Sequence, residues 1–314
     1  MFAPLAKVGD FSWPQFFVRR FWRIYPVFVA AVAISVAVHF FLPDPGTLTG
    51  TTKWFKAEAQ QETVTLASVL QLLLFAGTED AIRLNCVTWS LVQEVRVIIL
   101  FPLLAYCVRK SGSLSWIAVC MASMVASHIY PLAGEMRYFI TAETPVGSVC
   151  TTLHFLPLFV IGMILAQRLE LFSDLLAQTT TMQRVLLWCV AFVLIRRQQE
   201  YIAGPAAALL IFMSMGTPWV ARALAVDTFQ WLGRISYSLY LLHIPVLAVT
   251  LHALNGLLPI SQGLLIAFVA SLVFAHVFED RVASLFAYKK RAKAVPLARV
   301  SPPPAAAGWA LAQA

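Results

Sequence analysis

Apolar runs of about 20 residues, the length that a helix needs to cross a bilayer, recur along the whole chain. We predict eight spans, at 24–42, 86–108, 114–132, 148–166, 183–197, 203–220, 235–255 and 262–280. Of the 314 residues, 60% are hydrophobic and only 12% are charged, so too few polar side chains are present to cover a soluble surface. The composition therefore excludes a soluble enzyme, a disordered protein and a coiled coil.

The predicted fold is all-α, a polytopic integral membrane helix bundle of about eight spans, because helices satisfy their own backbone groups in lipid. One more apolar stretch, 65–77, is too short to span, and we expect it to be re-entrant or interfacial. Most basic residues between the spans then fall on one face of the membrane. The positive-inside rule makes that face cytoplasmic, so we predict a multi-pass protein of the cell (inner or cytoplasmic) membrane with both termini inside.

The net charge of +8 is explained by this orientation signal, so no nucleic-acid partner is expected. We divide the chain into a membrane domain, 1–288, and a basic, Pro- and Ala-rich cytoplasmic tail, 289–314, which we predict to be disordered. The sequence contains no Walker loop, GxSxG, HExxH or metal-ligand run. We therefore predict no metal and no bound cofactor.

Three arginines precede the first predicted span. A short helix is expected to begin at Ser12, which has capping-box spacing, and to bring Arg19, Arg20 and Arg23 to the inner interface. Arg19 and Arg23 are four residues apart and share a helix face, so their guanidinium groups can hold a diphosphate or an anionic head group. The alternative interpretation is a topology anchor that contacts lipid phosphates.

The second predicted span carries an acidic residue, Glu94, well inside its apolar run. A charge at that depth is costly, so Glu94 is a candidate general acid or base, or a group that orients a histidine. Arg96 projects from another face: Trp89, Gln93 and Arg96 form one stripe, and Ser90 and Glu94 form another. The alternative for Glu94 is an interhelical pair with another buried polar residue.

The seventh predicted span begins with hydroxyl groups and an imidazole on one face, at Ser236, Tyr240 and His243. Such a stripe must face protein or water. His243 can be a base, a ligand or simply a hydrogen-bonded residue. Near the inner end of the last span, His276 and Glu279 are three residues apart, and we expect them to pair.

Together these segments resemble the acyltransferase-3 family of membrane O-acyltransferases. The residues that carry the resemblance are RR-x-x-RIYP at 19–26, N-x-x-x-WSL-x-x-E at 85–94, LGRISYSLYLLHIP at 232–245 and the Phe-Glu pair at 278–279. Each motif is modest alone, but their order and spacing make the resemblance specific, and it extends over 11–282.

The resemblance implies transfer of an acyl group, often acetyl in this family, from cytoplasmic acyl-CoA to a hydroxyl. The implied acceptor is a cell-envelope or exported carbohydrate or glycoconjugate, and membrane lipid surrounds the protein. It also implies that Glu94 and His243 are the catalytic candidates and that the arginines face the donor's phosphates. The implied substrate-binding residues are Arg19, Arg20, Arg23, Asn85, Trp89, Ser90, Ser236, Tyr237 and Tyr240.

The chain departs from the family pattern at its start. Family members begin with a helix carrying R-x10-H, whose histidine is the expected base, and a second helix with an SGF pattern. Neither pattern occurs here, so the chain resembles a member without its first two helices. We therefore expect it to be inactive as given unless Glu94 or His243 replaces that base. The alternative function is a non-enzymatic membrane carrier, or a degenerate partner subunit, for lipid-linked sugars.

Overall fold

A computed structural model describes residues 12–42, 48, 50–52, 64–76, 82, 84–111, 113–132, 145–197 and 200–283. Within those ranges all regular structure is helical, which confirms the all-α membrane bundle. The predicted tail, 289–314, and its boundary with the membrane domain at 288 lie outside the described residues. The helices are α1 (Trp13–Phe41), α2 (Leu66–Leu73), α3 (Thr88–Ser111), α4 (Ser113–Leu132), α5 (Pro145–Gln167), α6 (Leu169–Ala177), α7 (Thr181–Ile195), α8 (Glu200–Gly216), α9 (Pro218–Leu224), α10 (Asp227–Leu254) and α11 (Ile260–Phe278), and a π-helical turn, Glu279–Ala283, follows.

Five segments are long and apolar enough to cross a membrane, and they lie on α1, α3, α5, α10 and α11. The other three predicted spans fall on shorter apolar helical segments, Trp116–Val125, Thr181–Ile195 and Ile202–Ser214. The 15 residues of α7 rise only about 22 Å, which is less than the hydrocarbon thickness of roughly 30 Å. The multi-pass character is thus established, while the count of eight spans stays a prediction.

Helix boundaries differ from the predicted ones at two places. The short helix expected from Ser12 and the span expected from residue 24 form one helix of 29 residues, α1, although Pro26 lies inside it. Ser12 is the N-cap of α1, but its side chain makes no capping hydrogen bond. The span expected over 203–220 breaks at Thr217, where the backbone is extended before Pro218 begins α9.

The stretch 65–77 forms the eight-residue helix α2, which at a rise of about 12 Å is too short to span. Thr65 and Ser68 make a reciprocal capping box at its start. Beyond its end, Phe75 has a φ of 56° and stacks on Phe28 of α1, with ring centroids 4.8 Å apart. The apolar side chain of Leu72 is fully buried. The end of α2 is therefore packed inside the bundle.

The buried core that positions the site joins α1, α2, α3, α10 and the end of α11. Its buried members are Ile24, Val27, Phe28, Ala31, Val32, Leu72, Leu84, Leu91, Leu241, Leu242 and Phe278. A second cluster joins α3 and α5 through Val97, Leu104, Leu156, Val160 and Met163. The short connection between α10 and α11 makes them antiparallel neighbours. Three motif-bearing helices, α1, α3 and α10, thus pack on one shared core.

Candidate active site

An ion pair joins α1 to α3. Arg20 Nη1 donates to Glu94 Oε1 at 3.0 Å, and the two side chains are 15% and 38% exposed. The contact agrees with the alternative prediction for Glu94, an interhelical pair with another polar residue. Arg20 faces into the bundle. Arg19, one residue before it, and Arg23, three residues after it, are exposed.

A hydroxyl pair joins α3 to α10. The Tyr240 hydroxyl donates to the carbonyl oxygen of Val87 at 2.8 Å and lies 2.7 Å from Ser90 Oγ. A phenol has one hydroxyl hydrogen, and that of Tyr240 is donated to the Val87 carbonyl. The Ser90 hydroxyl is therefore the donor in its hydrogen bond with the Tyr240 oxygen. Ser90 and Glu94 occupy the predicted stripe of α3, and that stripe faces α10 and α1.

The contacts of His243 fix the position of its proton. Its Nδ1 lies 2.8 Å from the carbonyl oxygen of Tyr240 and 3.2 Å from that of Leu239. A carbonyl oxygen can only accept, so Nδ1 carries the hydrogen and Nε2 carries the lone pair of the neutral ring. His243 is thus hydrogen-bonded, which was one of the three roles predicted for it. In the neutral ring its Nε2 carries the lone pair that a general base requires.

Depth along the helices places these groups in the middle of the bundle. His243 lies 16 residues after Asp227, about 24 Å along a 28-residue helix of roughly 42 Å. Tyr240, Ser90 and Val87 meet about one turn closer to the start of α10. The ion pair of Arg20 and Glu94 lies nearer still to the end of the bundle where α1 and α10 begin. Polar groups are therefore distributed from the middle of the bundle towards that end.

The other predicted stripe of α3 faces α5, as the spacing indicated. Gln93 Oε1 accepts from Thr152 Oγ1 at 2.7 Å, and Trp89 packs on Phe155 with ring centroids 5.4 Å apart. Both contacts point away from Tyr240. The predicted substrate-binding role of Trp89 stays a prediction.

Arg96 is a structural link between three elements. Its Nη1 donates to the backbone and side-chain oxygens of Ser148, at 2.7 and 2.8 Å. Its Nη2 donates to the carbonyl oxygens of Phe75 and Ala76 after α2, at 3.0 and 2.5 Å. The expected difference in face between Arg96 and Glu94 is confirmed, and the guanidinium serves to hold the end of α2 against α3 and α5.

Asn85 is buried at the junction of α1, α3 and α10, with 1% of its surface exposed. Its Nδ2 donates to the carbonyl oxygen of Leu241 at 2.9 Å and to Ser35 Oγ at 3.2 Å. The structure therefore gives this amide protein partners on two helices. Its predicted substrate-binding role is untested.

A cavity of about 470 Å³ opens between the start of α10 and the end of α11, and we call it the inner cavity because the positive-inside rule predicts that this end is cytoplasmic. Its volume lies within the usual range of roughly 300–1,000 Å³ for ligand pockets. Its charged and titratable lining is Arg23, Arg234, His276, Glu279 and Asp280. Ser236, Tyr237 and Trp231 also line it. Two of the predicted binding residues on α10, Ser236 and Tyr237, thus lie at this cavity rather than beside His243.

The arginine triplet divides between three settings. Arg23 lines the inner cavity, and Arg20 is held by Glu94. Arg19 is exposed and contacts Gln15 of its own helix at 3.5 Å. Tyr237 fixes α10 against this part of α1, because its hydroxyl donates to the carbonyl oxygen of Ile24 at 2.9 Å. The structure therefore brings only Arg23 of the three to the cavity.

The expected pairing of His276 with Glu279 is wrong. Glu279 Oε2 accepts from Ser238 Oγ of α10 at 2.5 Å, while His276 Nε2 lies 3.6 Å from Asp280 Oδ2. The physical reason is that His276 and Asp280 are one full turn apart, while Glu279 begins the π-helical turn and faces α10. Trp231 Nε1 donates to His276 Nδ1 at 3.2 Å, so the neutral ring has its hydrogen on Nε2, towards Asp280.

Sequence reasoning missed three cavity residues, Trp231, Arg234 and Asp280. Arg234 lies in the LGRISYSLYLLHIP segment but is not among the predicted binding residues. The available signal was positional: α10 and α11 are antiparallel neighbours, so the start of one and the end of the other must meet at the same end of the bundle. Among the described residues no group of three His, Cys, Asp or Glu side chains is arranged to hold a metal ion.

These features define a polytopic helical membrane protein with a polar site between its helices and a charged cavity at one end. The acyltransferase domain of the acyltransferase-3 family matches residues 2–279, and the chain belongs to that family. No curated protein and no solved structure gives a significant match. At family level the chain is therefore a membrane acyltransferase.

Proposed function

We propose that the protein transfers an acyl group, acetyl in the first instance, from acyl-CoA to a hydroxyl of a carbohydrate or glycoconjugate at the membrane. The observation that carries the proposal is the convergence of the family motifs. Residues from 19–26, 85–94 and 232–245 are far apart in sequence, yet they contact one another through the Arg20–Glu94 and Ser90–Tyr240 hydrogen bonds.

The inner cavity is the proposed donor site. Acyl-CoA carries several phosphates, and the guanidinium groups of Arg23 and Arg234 face the cavity from two helices. The positive-inside rule predicts that this end is cytoplasmic, which is the side on which acyl-CoA is made available. His243 lies seven residues after Ser236, or about 10 Å further along α10. The thioester end of the donor would therefore extend from the cavity along this helix towards His243.

His243 is the proposed general base. Its Nε2 removes the proton of the acceptor hydroxyl as that oxygen attacks the thioester carbonyl carbon. The C–S bond then breaks, and the leaving thiolate takes the proton from the imidazolium, which gives an ester and free CoA thiol. Glu94 is the weaker candidate for this step because one of its oxygens already accepts from Arg20. Its carboxylate instead fixes a positive charge between α1 and α3.

The test uses the full chain in phospholipid nanodiscs with radiolabelled acetyl-CoA. Release of free thiol and transfer of label to a sugar panel or to a total lipid extract are measured. We expect His243→Asn to lower turnover by roughly 10²–10⁴-fold without changing the unfolding temperature. His252→Asn is the matched control, because His252 Nδ1 also contacts a carbonyl oxygen of α10, that of Ala248 at 2.8 Å, but near the outer end.

Equal turnover in the His243→Asn variant would remove His243 as the base. A folded wild-type chain that binds acetyl-CoA but releases no thiol and transfers no label would contradict the enzymatic proposal. That second result would favour a carrier or a partner subunit for lipid-linked sugars.

A further inference from the structure

Pro245 deprives one carbonyl of α10 of its helical donor. In an α-helix the carbonyl of residue i accepts from the N–H of residue i+4. Pro245 lies inside α10 and has no N–H, so the carbonyl of Leu241 lacks this partner. The Leu241 residue is fully buried, so a replacement donor has to come from the protein.

Asn85 supplies that donor from the turn that precedes α3. Its Nδ2 lies 2.9 Å from the Leu241 carbonyl oxygen. The Asn85 backbone is itself fixed, because Thr88 donates to the Asn85 carbonyl through both its amide, at 2.9 Å, and its hydroxyl, at 2.8 Å. Ser35 Oγ on α1 accepts the other hydrogen of the amide at 3.2 Å. The side chain therefore holds a set orientation between three helices.

The contact is reciprocal. One residue before Leu241, Tyr240 donates from α10 to the Val87 carbonyl oxygen at the start of α3. Two side chains thus cross between the same two segments, each binding a backbone carbonyl of the other. His243 lies between Leu241 and Pro245, and its Nδ1 hydrogen bond ends on the Tyr240 carbonyl. The orientation of the His243 ring therefore depends on how this turn is held.

We propose that Asn85 is a positioning residue, which replaces the N–H missing at Pro245 and so fixes the turn that carries His243 against α3. The inference rests on the proposed function only in the role that it gives to His243. It assigns Asn85 an action through Leu241 rather than through substrate.

The first test is a double-mutant cycle in the unfolding temperature of the full chain. Asn85→Ala is expected to lower it by roughly 2–5 °C, because a buried carbonyl loses its donor in a chain of this length. In a Pro245→Ala background the restored N–H at position 245 can donate to the Leu241 carbonyl. Asn85→Ala should then lower the unfolding temperature by less than about half as much. Pro102→Ala, which alters a proline inside α3, is the control background. In that background Asn85→Ala should lower the unfolding temperature as much as it does in the wild type.

The second test reads the ring of His243 directly. The six histidines are labelled with ¹⁵N, and the His243 signals are assigned by their loss in His243→Asn. We expect Asn85→Ala to shift or broaden the Nδ1 signal of His243 and to leave that of His252 unchanged. Ser123→Ala is the matched control, because it removes another buried interhelical hydrogen bond, to the His154 carbonyl at 2.9 Å, without touching α10.

Both readings are made without substrate, so failure of acetyl-CoA turnover would count against the proposed function and not against this inference. Additive costs for Asn85→Ala and Pro245→Ala would overturn it, as would an unchanged His243 spectrum in Asn85→Ala. Where the wild type is active, Asn85→Ala should lower kcat by roughly tenfold while KM for acetyl-CoA stays within about twofold.

Discussion

Arg20 Nη1 and Glu94 Oε1 lie 3.0 Å apart, and this contact joins the arginine motif of α1 to the acidic residue of α3. Both side chains are partly removed from solvent, so the attraction is less screened than in a surface pair. If one partner is removed, the other is left as an unpaired charge at a helix interface.

We expect Arg20→Met to lower the free energy of unfolding by about 2 kcal/mol. The double variant Arg20→Met/Glu94→Leu should be more stable than that single variant, because it leaves no unpaired charge. Thermal and chemical unfolding in one detergent measures both. Arg19→Met is the control, since Arg19 is exposed and its contact with Gln15 is 3.5 Å long. An equal loss in the control would mean that the ion pair contributes nothing specific.

Replacing the carboxylate by its amide separates charge from shape. Glu94→Gln keeps an oxygen that can accept from Arg20, so we expect a change in unfolding free energy below about 1 kcal/mol. Loss of the negative charge should nevertheless abolish acyl transfer, because Arg20 then carries an uncompensated charge beside the site. Turnover and unfolding are measured on the same sample. Wild-type turnover in a folded Glu94→Gln protein would remove Glu94 from the site.

Arg96 should resist even a conservative replacement. Its planar group donates to Ser148 on α5 and to two carbonyls, of Phe75 and Ala76, at the end of α2. A lysine retains the charge but cannot reach acceptors on both sides at once. We expect Arg96→Lys to cost roughly 2–3 kcal/mol and to speed hydrogen exchange in the segment 66–76. Unchanged exchange there would show that α2 is held by its apolar contacts alone.

The spanning elements were predictable because each depends on local composition. An apolar run of 20 residues has few alternatives to a helix in lipid, and every predicted span falls on a helix. The faces of α3 also followed from spacing alone: Trp89 and Gln93 face α5, while Ser90 and Glu94 face the interior. The predicted helix boundaries were wrong where a single residue decides them, as at Thr217, whose extended backbone before Pro218 ends α8.

The partners within the site were not predictable, because they depend on the register between helices. No pattern in one helix shows that Arg20 is level with Glu94, or that Tyr240 reaches Val87. The π-helical turn after α11 had the same effect at Glu279, which it brings to Ser238 instead of His276. Tertiary packing therefore decided which of the motif residues meet.

Arg234 should contribute to donor binding although it belongs to no catalytic pattern. Arg234→Gln removes one of the guanidinium groups that face the inner cavity, so KM for acetyl-CoA should rise roughly tenfold with little change in kcat. Raised ionic strength should reduce the difference between variant and wild type. Arg222→Gln, an exposed arginine of α9, is the control. Equal KM values for Arg234→Gln and wild type would place the donor phosphates elsewhere.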